Sequence, residues 1–80
     1  MIRIVVVEDE PHIADVVIYI LQENRFETLS ARDGDWGWKL FQEQQPDLAI
    51  LDLNLPGISG LELFKKMRRL RPAFPIIMLT

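Results

Sequence analysis

Cysteine is absent from the sequence, which excludes disulfide bridges and thiolate metal sites as sources of stability. The absence fits a reducing compartment, and a cytoplasmic setting is expected. Histidine occurs once, at His12, in the first turn after an acidic loop. There it reads as a solvated helix-start residue rather than a ligand or phosphodonor. No apolar run approaches the roughly 18 residues of a membrane span. The apolar stretch Ile2 to Val7 is too short for a signal peptide and leads directly into acid. A basic excess is also missing, with 9 basic against 12 acidic residues and a net charge of −3. Direct binding of nucleic acid by this segment is therefore not expected, because a phosphate backbone needs a cationic face. One basic run stands out, Lys65 and Lys66 with Arg68, Arg69 and Arg71. It falls at the end of a predicted helix, where it complements the dipole.

What remains is a short chain that is rich in core material. Hydrophobic residues make up 49% of 80 positions, too many for a disordered segment. The length allows one domain, residues 1–80, with a thin margin of stability.

Ile2 to Val7 is a nearly continuous β-branched run, suited to a parallel strand buried on both faces. Glu8, Asp9, Glu10 and Pro11 end it, and Pro11 suits the first turn of a helix. Ile13, Val16, Val17, Ile20 and Leu21 then form an apolar stripe that predicts a helix over Pro11 to Glu23. Phe26 to Ala31 alternates in the manner of a half-exposed edge strand. Asp33-Gly34 turns into a second helix over Asp35 to Gln44, which Gly37 weakens by about 1 kcal/mol relative to Ala. Leu48 to Leu51 predicts a second buried strand ending at Asp52. Ser59 and Glu62 have the spacing of a capping box, opening a helix to Leu70 with Leu61, Phe64 and Met67 as its inward stripe. Pro75 introduces Ile76 to Thr80, a third buried strand.

Strands alternating with helices imply an α/β domain, with a parallel sheet covered on both faces. Right-handed crossovers and a polar second strand give the order 2-1-3-4. Strand order then reverses between strands one and three, and ligands bind at the carboxyl ends beside such a reversal. Glu8 and Asp9 follow strand one and Asp52 ends strand three, on neighbours about 4.8 Å apart. Such a carboxylate cluster is costly unless a cation or proton neutralises it. All-oxygen ligands without histidine or cysteine suit Mg²⁺, and a carboxylate held beside it can attack phosphorus to give an acyl phosphate.

The stretches Ile4 to Glu10, Asp33-Gly34, Asp47 to Gly60 and Pro75 to Thr80 resemble the receiver domains of two-component response regulators over the whole chain. The Leu55-Pro56-Gly57 form is most similar to regulators with a winged-helix, DNA-binding output. The resemblance implies a flavodoxin-like doubly wound fold and Asp52 as acceptor of a phosphoryl group from a sensor histidine kinase. It implies Asp9 as a direct Mg²⁺ ligand, Glu8 assisting through water or hydrogen bonds, and the Asn54 carbonyl completing the set. Thr80 is implied as the switch hydroxyl, and the Asn54 side chain as a group that positions water.

Receiver domains continue into another helix, a fifth strand bearing a lysine and an aromatic, and a last helix. Those elements lie beyond Thr80, so the chain is expected to be the amino-terminal part of a longer protein. Lys39, Lys65 and Lys66 fall on helices away from the strand ends and do not replace that lysine. Should the chain end at Thr80, self-association to a homodimer through strand four is expected to hide its edge. Two other functions stay open: a receiver-like interaction module that takes no phosphate, and a phosphohydrolase with Asp52 as nucleophile. The second lacks the usual proton-donating acid two positions on, where Asn54 stands. Trp38 is expected in the core and Trp36 on the surface, as a partner contact. Gly57 and Gly60 are expected to serve loop conformation.

Overall fold

The computed structural model describes residues 1–79. Its elements run β1 (Arg3–Val7), α1 (Pro11–Glu23), β2 (Glu27–Ala31), α2 (Gly34–Gln44), β3 (Leu48–Asp52), α3 (Gly60–Leu70) and β4 (Ile76–Leu79). All pairings are parallel, in the order β2-β1-β3-β4. The expected flavodoxin-like topology is present, within a residue or two at every element boundary. Among the described residues no helix is long and apolar enough to cross a membrane.

Each helix begins where a side chain can receive an unpaired backbone N–H. Glu10 caps α1 by accepting from the Ile13 N–H at 2.9 Å, with Pro11 at the first position. Asp33 caps α2, accepting from the Trp36 N–H at 2.7 Å. The Ser59 hydroxyl caps α3, accepting from the Glu62 N–H at 3.2 Å.

Alternate residues of the strands divide the core into two layers. Val5, Val7, Ala49 and Leu51 face α2 and α3, meeting Phe41, Leu63, Met67 and Phe74. Phe41 meets Phe74 edge-on with ring centroids 4.9 Å apart, and Trp38 stacks on Phe41 at 5.5 Å. Trp38 is half-buried against this core while Trp36 is exposed, as expected of both. Ile4, Val6 and Ile50 face the other way, where Val17, Ile18, Leu21 and Phe26 pack on them.

Three packing details differ from expectation. Of the α1 stripe, Val17 and Leu21 turn inward, but Ile13, Val16 and Ile20 lie on the exposed side. Ala14, which is buried, and Ile18, which packs on Ile4, Val6 and Ile50, take the inward places. In α3 the inward positions are Leu63 and Met67, both fully buried, with Phe64 beside them and Leu61 half exposed to solvent. Finally, β4 lies at the sheet edge and Ile77 is exposed, so its apolar run is only partly buried. Gly37 is explained by space: a Cβ there would lie 2.8 Å from a Val7 methyl. The lost helix propensity is offset by close contact with β1.

Candidate functional site

The register of β1 and β3 sets the site. Val7 pairs with Leu51, so the residues that follow, Glu8 and Asp52, emerge side by side at the carboxyl edge. Both strands are buried almost throughout their lengths. A one-residue slip would carry Glu8 and Asp52 out of line, so the pairing of Val7 with Leu51 is what brings the two carboxylates together.

Glu8, Asp9 and Asp52 each offer a carboxylate oxygen, and these atoms lie within 4.8 Å of one another. The three differ in exposure: Glu8 is buried, Asp52 half-buried and Asp9 exposed. Glu8 is held from both ends, its N–H donating to the Ala31 carbonyl and its carboxylate accepting from the Glu10 N–H, each at 3.0 Å. Burial pushes the Glu8 carboxyl above the ordinary glutamate value. The Glu10 N–H pulls it down in part, while the neighbouring Asp52 and Asp9 push it up further.

Asp52 is fixed by the loop that follows it. Its Oδ1 accepts from the Asn54 N–H at 3.2 Å, an Asx turn that reverses the chain at the end of β3. Leu53 accepts through its carbonyl from the Gly60 N–H at 3.0 Å, seating α3 on the strand end. Gly57 has φ +75, a left-handed backbone that glycine adopts without strain. Gly60 has a different task from the expected loop conformation, since a Cβ there would lie 1.9 Å from the Asp52 carbonyl oxygen. Close approach, rather than an unusual dihedral, demands glycine at that position. The Gly34 N–H donates to the Pro56 carbonyl at 3.3 Å, tying the same loop to the start of α2.

Sequence reasoning placed Glu8, Asp9 and Asp52 together, and the structure brings all three to one point. Asn54 lies in the adjoining loop and is exposed. Thr80 lies outside the described residues. Sequence reasoning missed the close seat of Gly60 on Asp52, for which the only signal was a glycine immediately after a helix cap. Lys39, Lys65 and Lys66 lie on α2 and α3 as expected, with the Lys66 ammonium over the Trp38 ring.

Comparison with known proteins supplies the family. The family model for the response regulator receiver domain matches residues 4–80. The alkaline phosphatase synthesis transcriptional regulatory protein PhoP of Bacillus subtilis is 37% identical over 78 residues, covering 98% of this chain and 32% of that protein. The phosphate regulon transcriptional regulatory protein PhoB of Escherichia coli is 40% identical over 80 residues, covering 98% of this chain and 35% of that protein. The chain thus spans about a third of the length of the curated relatives it matches. Among solved structures, the response regulator TrrA of Thermotoga maritima in complex with Mg²⁺ and BeF superposes with a TM-score of 0.96. It is 42% identical and covers all of this chain and 70% of that one. A structure of TrrA in complex with the histidine kinase ThkA superposes with a TM-score of 0.92. With the fold, the strand-end carboxylates and these likenesses in agreement, the chain belongs to the response regulator receiver domain family, a family of signalling modules.

Proposed function

We propose that Asp52 is the phosphoryl acceptor of a two-component response regulator and that a sensor histidine kinase supplies the phosphoryl group. The observation that carries this reading is the convergence of Glu8, Asp9 and Asp52 carboxylate oxygens within 4.8 Å at the end of β1 and β3. An all-oxygen, multiply anionic donor set, with a carboxyl pushed up by burial and then by its acidic neighbours, fits a hard divalent cation, Mg²⁺. Asp9 and Asp52 would hold the ion directly, with the Asn54 carbonyl, and Glu8 would support it through water or hydrogen bonds. When bound, Mg²⁺ offsets negative charge on the incoming phosphoryl oxygens.

In the transfer, an Asp52 carboxylate oxygen attacks phosphorus and a P–O bond forms. The P–N bond of the donor phosphohistidine breaks, and its electron pair returns to the imidazole, which takes up a proton. Asp52 suits the nucleophile's role because the Asn54 N–H and the seat of α3 hold it in one orientation, while it stays half open to a donor. Asn54, two positions beyond the acceptor, has no acidic proton for a leaving group, which favours storage of the phosphoryl group over steady hydrolytic turnover. Its side chain would orient the water that slowly discharges the acyl phosphate. The Thr80 hydroxyl is the proposed switch group that reads the added charge, close to two negative units. PhoP and PhoB are named as transcriptional regulatory proteins, and a DNA-binding output is the corresponding proposal for the whole protein.

The direct test is intact mass before and after incubation with Mg²⁺ and acetyl phosphate, for the native protein and Asp52→Asn. One added phosphoryl group, dependent on Mg²⁺ and absent from the variant, is the expected result. Uptake that persists in Asp52→Asn would reassign the acceptor, and no uptake at all would favour a pure interaction module.

A further inference from the structure

A second feature lies at the opposite pole. Arg71 donates to the Pro46 carbonyl at 3.1 Å, just ahead of β3, whereas Asp52 closes the other end of that strand. The end of α3, with Arg68, Arg69 and Arg71, therefore lies toward the opposite end of the sheet from the acidic cluster. The members of the basic run are not alike. Arg68 donates to the Pro72 and Phe74 carbonyls, and the Arg71 guanidinium also lies 4.6 Å from the Phe74 ring centroid. Those two staple the α3–β4 connection. The Lys66 ammonium lies 4.6 Å from the Trp38 ring centroid. Arg69 is exposed and makes no hydrogen bond or ion pair among the described residues, where Arg3–Glu27 is the one ion pair. Completing a helix dipole needs far less charge than this.

Between α2 and α3 the surface is hollowed. One cavity of about 220 Å³ is lined by Trp38, Lys66, Arg69 and Leu70. Another, of about 460 Å³, lies on the other side of Leu70, over Phe41, Gln42, Gln45 and Arg71. Leu70 stands between them with 57% of its surface exposed. The result is a groove with an apolar floor and cations along the α3 wall.

We propose that the α2/α3 groove docks an acidic, amphipathic peptide segment of a partner protein. Its carboxylates would meet Lys66 and Arg69, and an aliphatic or aromatic side chain would settle against Leu70 and the Trp38 edge. Charge complementarity carries the choice of occupant, because no carboxylate of the described residues neutralises these cations. A peptide fits better than a nucleic acid on two counts. The exposed face of the Trp38 indole is occupied by Lys66, so a base has no stacking platform there. A long polyanion would also run onto the acidic cluster of Glu8, Asp9 and Asp52, which a short segment avoids. The acidic pole repels the same segment and so directs it to this end. The proposal is independent of phosphoryl transfer at Asp52.

Calorimetric titration of the intact protein with a synthetic peptide alternating Glu and Leu in pairs tests it. Saturable binding that weakens with added salt is expected. The pair Lys66→Glu with Arg69→Glu should abolish it, and Leu70→Ser should weaken it about tenfold. Arg69 and Leu70 are exposed and Lys66 is half-buried over Trp38, and unchanged circular dichroism would verify folding of each variant. No saturation, or affinity that is indifferent to Leu70→Ser, would overturn the proposal. Tighter binding of a DNA duplex than of the peptide would overturn it in favour of a nucleic-acid surface.

Discussion

Gly60 rests directly against the backbone of Asp52: a Cβ added to the glycine would lie 1.9 Å from the Asp52 carbonyl oxygen and 2.7 Å from the Leu53 Cα. Both obstacles are backbone, so the start of α3 has to move. Gly60→Ala is expected to destabilise the domain by about 3 kcal/mol, the upper part of the range for overpacking. It should also slow phosphoryl uptake at Asp52 beyond what the lost folded fraction explains. Urea unfolding and uptake rates measured together separate the two effects, and a variant as stable as the native protein would contradict so close a contact.

The inward face of α3 separates two leucines. Leu63 is fully buried and Leu61 is half exposed, although a single residue lies between them. Leu63→Ala should cost about 2–5 kcal/mol, whereas Leu61→Ala should stay within about 0.5 kcal/mol. Equal losses in denaturant unfolding would mean that α3 is rotated about its axis, with Leu61 sharing the core.

Glu8 gives the protein a pH signature. Its folded-state pKa lies above the ordinary value of 4.5, so the folded protein holds a proton that the unfolded chain has released. The associated stability is fully present below 4.5 and is lost as pH rises through the folded pKa of Glu8. In the absence of divalent cations, Glu8→Gln should therefore be more stable than the native protein at neutral pH. The gap should narrow as pH falls toward 4.5. Unfolding midpoints of both proteins across that range provide the check; parallel curves would remove Glu8 as the cause.

A cation should relieve the same repulsion. Mg²⁺ at about 100 times its dissociation constant is expected to stabilise the native protein by about 2.7 kcal/mol. Asp9→Asn should remove most of that gain, since Asp9 is the proposed direct ligand. Thermal unfolding with and without Mg²⁺ decides the matter, and a shift that Asp9→Asn leaves untouched would exclude this residue as a ligand.

Asn54→Met replaces a polar side chain beside the acceptor with one that holds water poorly. Loss of the phosphoryl group should slow by about tenfold, equivalent to about 1.4 kcal/mol in the barrier. Following the phosphorylated mass with time gives the rate, and an unchanged rate would count against water positioning by Asn54.

The sheet was legible in the sequence because its signals agree with one another. A β-branched run ending in acid, a proline at a helix start and a polar second strand leave little freedom in the order β2-β1-β3-β4. Helix phase was less legible. Helix α1 is apolar around most of its circumference, with Ile13, Ala14, Val16, Val17, Ile18, Tyr19, Ile20 and Leu21 in succession or nearly so. Periodicity then admits two inward stripes, and the one taken has Ala14 buried with Val17, Ile18 and Leu21 against the sheet. In α3 the same ambiguity placed Leu61 inward, when the connection through Gly60 turns Leu63 to the core. The site carboxylates were readable because strand ends alone position them. Gly60 was not, because its reason is a neighbour remote from any local pattern.

The pairing of β1 with β3 also has a kinetic meaning. The hydrogen bond from the Arg3 N–H to Asp47 joins residues 44 positions apart, and the register beyond it carries Glu8 to Asp52. Closing so long a loop takes an entropic toll before any contact rewards it. No subset of local structure holds the strands of Glu8 and Asp52 together, so the acidic cluster is expected to form late, with the central sheet itself. An ion held between Asp9 and Asp52, as proposed, would thus report on completed folding, appearing in refolding traces only after β1 and β3 have met.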